Sequence, residues 1–192
     1  MTKSPIIMVE YDQAEEQDFK FDKKQAKNMR CHANRNEVAG DFLLQKAEEC
    51  ERLGDHENRD NFSTEAANEY VKSIEKTCKA AVVACDGEKK EYNGNRGKRK
   101  LLETHSVRLL QQTLEGKSSH LISAEDAQTV DTIHGGKGLA YIATEYGGPD
   151  NEVVTINMED TKRLKNIAKT TSANYKKLER QERVRRMLKG VI

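Results

Sequence analysis

Apolar residues recur at helical spacing through most of the N-terminal half of the chain. The first series repeats every three or four residues and consists of Leu43, Leu44, Ala47, Cys50 and Leu53. The second repeats every four residues and consists of Phe62, Ala66, Tyr70, Ile74 and Cys78. Gly54 and Asp55 lie between the two series as a stop signal and a start signal. The pattern therefore predicts an antiparallel helical hairpin.

The beginnings of these two helices are predicted from weaker patterns. Residues 12–37 are charged and helix-prone, but their apolar residues are too sparse to define a core stripe. Asn61 or Ser63 is the expected N-cap of the second helix, because both side chains can accept a hydrogen bond from the first helical turn.

The pattern of the C-terminal half changes part-way along. Leucines between residues 101 and 114 predict a helix, and Ser123 and Gly135 are expected to bound a second, shorter helix. Residues 138–146 and 152–158 are instead rich in β-branched and aromatic side chains, and the turn-forming sequence GGPDN separates them. This change of period predicts one β-hairpin.

The last helix, from about Glu159 to Lys189, carries two apolar sets on nearly opposite faces. The first set is Leu164, Ile167, Ala168, Thr171, Tyr175 and Leu178. The second set is Val184, Met187, Leu188 and Val191. If the helix is continuous, the first set packs on its own domain and the second contacts a second copy or another protein. If residues 170–174 break the helix, both halves can pack on one core, since Thr and Ser weaken helices.

Composition limits the core that these elements can build. Hydrophobic residues make up 35% of the 192 residues, charged residues make up 34%, and there is no tryptophan. Only two prolines interrupt the chain, which favours long, partly solvated helices over an all-β fold. We therefore expect a predominantly α-helical α+β protein in three parts. They are a helical N-terminal region at 1–87, a flexible basic connector at 88–100, and an α+β region at 101–192 that ends in the long basic helix.

Charge is strongly segregated along the chain, although the net charge is only +1. Residues 1–70 carry a net charge of −6 and residues 101–160 carry −7, whereas residues 88–100 carry +4 and residues 161–192 carry +9. Such blocks can fold onto one another, pair between copies, or leave the basic parts free to bind a polyanion or an acidic partner protein. The basic side chains expected to make these contacts are Lys89, Lys90, Arg96, Lys98, Arg99, Lys100, Arg183, Arg185 and Arg186.

Cysteine and histidine spacing gives no metal-binding pattern. The four cysteines and five histidines never form a C-x-x-C or H-x-x-x-H arrangement, so no metal and no cofactor are expected. No apolar run approaches the ~20 residues that span a bilayer, and the first residues do not resemble a secretory signal. The sequence therefore predicts reduced thiols in a cytoplasmic protein that does not cross a membrane.

One short motif suggests catalysis. Many metal-dependent nucleases carry a Pro-Asp pair, a strand, and then an acid two residues before a lysine. In those enzymes the carboxylates hold magnesium and the lysine orients the attacking water. Asp150, Asp160 and Lys162 resemble this arrangement. However, the second acid and the lysine are expected in the first turn of a helix, where an acid complements the helix dipole. A turn followed by a helix N-terminus explains the same residues without catalysis.

The sequence supports three functional hypotheses of different classes. The first is a non-enzymatic interaction or assembly protein, of the scaffold or inhibitor type. Such a protein forms a homo-oligomer or clamps another protein through charge-complementary blocks and its terminal helix. The second is a nucleic-acid-binding regulator that uses the basic connector and the terminal helix. The third is the magnesium-dependent nuclease. We expect the first, because the basic segments carry few aromatic residues on which bases could stack.

Overall fold

A computed structural model describes residues 23–86, 105–115, 121–135 and 155–188 of the chain. Its helices are α1 (Lys23–Leu53), α2 (His56–Asp86), α3 (Val107–Glu115), α4 (Ala124–Gly135) and α5 (Met158–Leu188). Helices α1, α2 and α5 contain 31 residues each, so each is about 46 Å long. These three helices form the framework of the fold.

The expected α+β class is wrong for the described residues, which are mostly helical and contain no strand. Most of the predicted β-hairpin, including its turn, lies in 136–154 and so outside the described residues. The end of its second strand is described: residues 155–157 form no regular structure, and Met158 begins α5. Ile156 is buried there, and its backbone N–H donates to the Thr64 hydroxyl at 3.0 Å. Ile156 therefore anchors the segment that precedes α5 to α2.

The turn between α1 and α2 confirms the predicted helical hairpin. Gly54 adopts a φ of 73°, which a glycine tolerates without strain. The Asp55 N–H donates to the Cys50 carbonyl at 2.9 Å, and the Gly54 N–H donates to the Glu51 carbonyl at 3.2 Å, which together close a Schellman motif. The Asp55 carboxylate then accepts the Asn58 N–H at 3.2 Å and caps α2. The expected cap at Asn61 or Ser63 is wrong, because α2 begins five residues before Asn61.

Helix α1 is uninterrupted from Lys23 to Leu53, so it includes residues 23–37 of the segment whose apolar residues are sparse. It crosses α2 closely at Gly40, where an added Cβ would lie 2.8 Å from the Tyr70 ring. A side chain at this position would displace the ring, so the glycine permits the close approach of the two helices. Small residues continue the contact, since Ala33 and Ala47 are also fully buried on the same face of α1.

Helix α5 runs alongside α2 in the same direction and antiparallel to α1. Near its start, the Thr161 hydroxyl lies 2.9 Å from the Ser63 hydroxyl of α2. Further along, Ser172 contacts Arg30, which lies near the start of α1. The start of α5 is therefore beside the α1–α2 turn, and its end lies at the opposite end of the bundle.

The short helices α3 and α4 pack against each other and against the second half of α2. Asp131 of α4 caps α3: its carboxylate accepts the Val107 N–H at 2.8 Å and the Ser106 hydroxyl at 2.6 Å. Ser123 caps α4 as the sequence predicts, since its hydroxyl accepts the Asp126 N–H at 3.0 Å. These two caps satisfy backbone donors that helix starts otherwise leave unpaired.

One hydrophobic cluster joins residues from both sides of the predicted connector. Tyr70, Ile74 and Val82 come from before residues 88–100, and Leu110 and Leu164 come from after them. The connector itself lies outside the described residues. The division into regions 1–87, 88–100 and 101–192 stays a prediction.

Candidate interaction surface at the end of the terminal helix

Helix α5 is continuous through residues 170–174, so the alternative in which this segment breaks the helix is wrong. Thr171 and Ser172 are both buried. The Thr171 hydroxyl donates to the Ile167 carbonyl at 2.8 Å, one helical turn earlier. This local bond satisfies the hydroxyl without interrupting the helix.

The first apolar set of α5 packs on the rest of the protein, as predicted for a continuous helix. Its members are all buried: Leu164, Ile167, Ala168, Thr171, Tyr175 and Leu178. Leu178 is the last residue of the helix in the hydrophobic cluster. The buried part of α5 therefore ends ten residues before its last described residue, Leu188.

A buried arginine holds the middle of α5 against α1 and α2. Arg30 is only 8% exposed, and its guanidinium donates to the hydroxyls of Thr77 and Ser172 at 2.5 and 2.9 Å. It also donates to the Asn34 amide oxygen at 2.9 Å, and its Cζ lies 4.8 Å from the centre of the Tyr175 ring. Burial lowers the pKa of the Arg30 guanidinium. The hydrogen bonds and the ring offset the loss of hydration that burial imposes on this charge.

A second polar cluster ties the first half of α5 to α1. Lys165 and Lys169 lie 2.9 and 3.4 Å from the Asp41 carboxylate, which also accepts the Tyr70 hydroxyl at 2.7 Å. Burial alone would raise the pKa of the Asp41 carboxyl, but the hydrogen bonds from Lys165 and Tyr70 outweigh it and hold that pKa below its ordinary value. Burial and the bond to Asp41 raise the pKa of Tyr70.

The second apolar set lies on the surface at the end of α5. Val184, Met187 and Leu188 are 49%, 51% and 84% exposed. Val184 and Leu188 line a shallow depression together with Arg180, Gln181 and Arg185. Val191 lies outside the described residues. The three described residues therefore present apolar surface beside arginine side chains, and we call residues 176–188 the tail.

The last turns of α5 extend past the described start of α1. Arg30 contacts Ser172, and both helices advance by about 1.5 Å per residue in opposite directions. Lys23, the first described residue of α1, is therefore about level with Glu179. Residues 180–188 continue for roughly 13 Å beyond that level. Their side chains are exposed wherever the structure describes them.

The predicted basic contact residues are only partly described. Arg183 and Arg185 are exposed on the tail, where they flank Val184. The side chain of Arg186 lies outside the described residues, as do Lys89, Lys90, Arg96, Lys98, Arg99 and Lys100. The structure thus brings Arg183 and Arg185 next to the predicted apolar contact residues, and the role of the connector lysines and arginines stays a prediction.

The two described residues of the nuclease-like motif, Asp160 and Lys162, take structural positions at the start of α5. Asp160 forms a reciprocal cap with Asn157: its N–H donates to the Asn157 amide oxygen at 2.8 Å, and its carboxylate accepts the Asn157 side-chain amide at 2.9 Å. Lys162 points to α1 and pairs with Glu48 at 3.1 Å. Asp150 lies outside the described residues. Helix capping and an interhelical ion pair account for Asp160 and Lys162.

The described cysteines differ in their surroundings. Cys31 is exposed, Cys50 is partly exposed and Cys78 is buried in the core. Burial raises the pKa of the Cys78 thiol to about 12, so it packs as an apolar side chain.

Among the described residues, no group of three or more His, Cys, Asp or Glu side chains could hold a metal ion. In the same part of the chain, every helix is too short or too polar to span a membrane.

Sequence reasoning missed two features of this arrangement. The first is Arg30, although its position is visible in the spacing, since Ala26, Arg30, Ala33 and Gly40 follow one face of α1. An arginine within a stripe of small residues is a signal for a buried polar contact between helices. The second is the acidic α1–α2 turn around Leu53, whose net charge appears when residues 48–60 are counted separately.

No family model, curated protein or solved structure matches this chain. No residue role can therefore be transferred to it from a relative. Its function has to be inferred from the contacts, charges and exposed surfaces of the described helices.

Proposed function

We propose that the protein is a non-enzymatic assembly protein that binds its partner through the tail at the end of α5. The observation that carries this proposal is the exposure of Val184, Met187 and Leu188 on a helix whose buried stripe ends at Leu178. An apolar cluster on a helix end that leaves its own core is typical of helices that complete their packing on another molecule.

Charge defines the kind of partner that the tail fits. Residues 176–188 contain six basic and two acidic residues, which gives a net charge of +4. Two such tails repel each other if they pair side by side, so the favoured partner surface is acidic with an apolar centre. Arginines around an apolar centre suit such a surface, because guanidinium groups bind carboxylates at the rim of an interface.

The proposal is tested by measuring molar mass with light scattering, at low and high salt, with and without added DNA or RNA. We expect a mass above 21.8 kDa without nucleic acid. We expect the double variant Met187→Asp with Leu188→Asp to return to the monomer mass, because it places charges at the contact. Its thermal midpoint and helical circular dichroism should stay unchanged when the protein is dilute, since Leu164 and Leu178 still pack.

A control variant replaces a different pair of exposed apolar residues, which lie one helical turn apart on α1. Val38 and Phe42 on α1 are 69% and 59% exposed, and their change to Asp is expected to leave the mass unchanged. If wild type stays a monomer under every condition, the assembly function is wrong. A mass increase that occurs only with DNA or RNA, and weakens steeply with salt, would instead establish the nucleic-acid-binding regulator.

A further inference from the structure

The α1–α2 turn forms an acidic surface at the end of the bundle opposite the tail. Residues 48–60, which we call the tip, contain six acidic and two basic residues and have a net charge of −4. The tip and the tail are thus thirteen residues each, with equal and opposite net charges. The tip also carries an exposed apolar residue, because Leu53 is 77% exposed at the end of α1.

Ion pairs already engage four of the tip's six carboxylates, those of Glu48, Glu49, Glu51 and Asp60. Arg59 lies 2.7 Å from both Glu51 and Asp60, and it holds the pKa of Glu51 below its ordinary value through a hydrogen bond. Glu57, in the first turn of α2, is exposed. Leu53 and Glu57 therefore present an apolar side chain and a carboxylate close to the same turn.

The tail cannot reach the tip of its own molecule. Lys162 at the start of α5 pairs with Glu48 of the tip at 3.1 Å, and α5 then runs away from the tip without a break. Residues 176–188 lie 14 to 26 residues further along, which places them roughly 20–40 Å away. Contact between these two surfaces therefore requires two molecules.

We propose that the tail of one copy docks on the tip of the next copy. Leu188 and Met187 would cover Leu53, while the arginines of the tail face the carboxylates of the tip. This inference rests on the proposed function and names the partner surface. Opposite net charges favour this contact over a tail–tail or a tip–tip pair, in each of which like charges would be brought together.

The geometry of this contact has a consequence for assembly. Each molecule presents two different surfaces at opposite ends, so docking of each tail on the tip of a further copy is heterologous and generates open chains or closed rings. We expect the mean molar mass to rise with protein concentration. We also expect the association constant to fall by about tenfold or more between low and high salt, because the charges lie at the surface.

A mixing experiment with two variants of the full chain tests this inference. The tip variant carries Leu53→Lys with Glu57→Lys, and the tail variant carries Met187→Asp with Leu188→Asp. Each variant alone is expected to be a monomer by sedimentation velocity, since it lacks one of the two surfaces. An equal mixture is expected to form a species of twice the monomer mass and nothing larger, because only one intact tail and one intact tip can meet.

The outcomes separate this inference from the proposed function. If the tip variant assembles like wild type while the tail variant does not, tail-to-tip docking is wrong and the tail binds another surface. If both variants assemble like wild type, the inference and the proposed function are both wrong. A control variant with Leu109→Lys and Glu115→Lys, which makes the same kind of change on α3, is expected to assemble normally. Circular dichroism checks that each variant is folded.

Discussion

The two parts of α5 contrast within a single helix. Residues 158–178 bury one apolar stripe, and the lysines beside it pair with carboxylates of α1: Lys162 with Glu48, and Lys165 with Asp41. Residues 179–188 carry apolar and basic side chains that are exposed wherever they are described. Secondary structure is the same in both parts, so the difference lies in what the bundle supplies to pack against them. The first part stabilises the fold, and the second is available for a partner.

The largest expected effect comes from comparing one leucine in each part. Leu164 is fully buried, whereas Leu188 is 84% exposed. Leu164→Ala should lower the free energy of unfolding by about 2–5 kcal/mol, because it removes buried methyl groups and leaves a cavity. Leu188→Ala should change it by less than about 0.5 kcal/mol. Chemical denaturation of dilute protein, followed by circular dichroism, measures both values.

Equal losses from the two leucines would contradict this comparison. In that case, the last turns of α5 would belong to the protein's own core. The two variants control for each other. Each replaces Leu by Ala within one helix, so the change in helix propensity is the same in both. A difference between them therefore reports packing and not the intrinsic stability of the helix.

A second, smaller effect on stability is expected from replacing one buried and one exposed arginine by alanine. Arg30→Ala deletes the buried contacts to Thr77, Ser172 and the Tyr175 ring. It should destabilise the protein by about 1–3 kcal/mol, since two buried hydroxyls lose a partner. Arg183→Ala, at an exposed position of the tail, should leave the free energy of unfolding almost unchanged. It should weaken association instead, because it lowers the charge of the tail.

The measurements for this pair are denaturation for stability and sedimentation velocity for association. A destabilised Arg183→Ala variant would place this side chain in an intramolecular contact. An unchanged stability for Arg30→Ala would mean that the hydroxyls find other partners or that the lost contacts are balanced by the removal of a buried charge. Arg30→Met separates these cases, since it restores apolar volume at the site without restoring any hydrogen bond.

The contrast within α5 was predictable because the spacing of apolar residues in the sequence determines which face of a helix each of them occupies. The apolar positions from Leu164 to Leu178 and from Val184 to Leu188 fall on opposite sides of a helix with 3.6 residues per turn. This separation does not depend on the structure of the rest of the chain. The α1–α2 turn was predictable for a similar reason: Gly54 and Asp55 are local stop and start signals that act without tertiary contacts. That the tail is exposed depends on how α5 is aligned with α1 and α2, which sequence periodicity does not give.

The predictions that failed depend on competition between local signals and packing. Thr155 and Ile156 have β-branched side chains, yet Asn157 caps α5 and the Ile156 N–H donates to Thr64 of α2. These contacts outweigh a strand propensity, which is itself context-dependent. The cap of α2 was misplaced because Ser63 resembles an N-cap, whereas its hydroxyl lies against Thr161 in the interior. Neither contact is visible until α5 is packed beside α2.

The smallest expected effect concerns the charge pairs of the packed part. Asp41 is held by Lys165, Lys169 and Tyr70, and its pKa lies below the ordinary value. A carboxyl with a depressed pKa in the folded state stabilises the protein above its unfolded pKa, which is about 3.9. That contribution is lost as the pH falls through the lower folded value. The Asp41 side chain is 39% exposed, so solvent screening limits the effect to about 1 kcal/mol or less.

Asp41→Asn should therefore lower the thermal midpoint by at most a few degrees at pH 7, and the difference from wild type should shrink as the pH falls from 5 to 2. Thermal melts of both proteins across this range measure the effect.

Glu65→Gln, at an exposed position of α2, is the matched control and should leave the midpoint unchanged. A deficit for Asp41→Asn that stays constant down to pH 2 would show that the carboxylate charge does not matter. Its hydrogen bond to Tyr70, or the local helix structure, would then carry the stabilisation. A deficit that disappears at low pH would show that paired charges fasten the first half of α5 to α1.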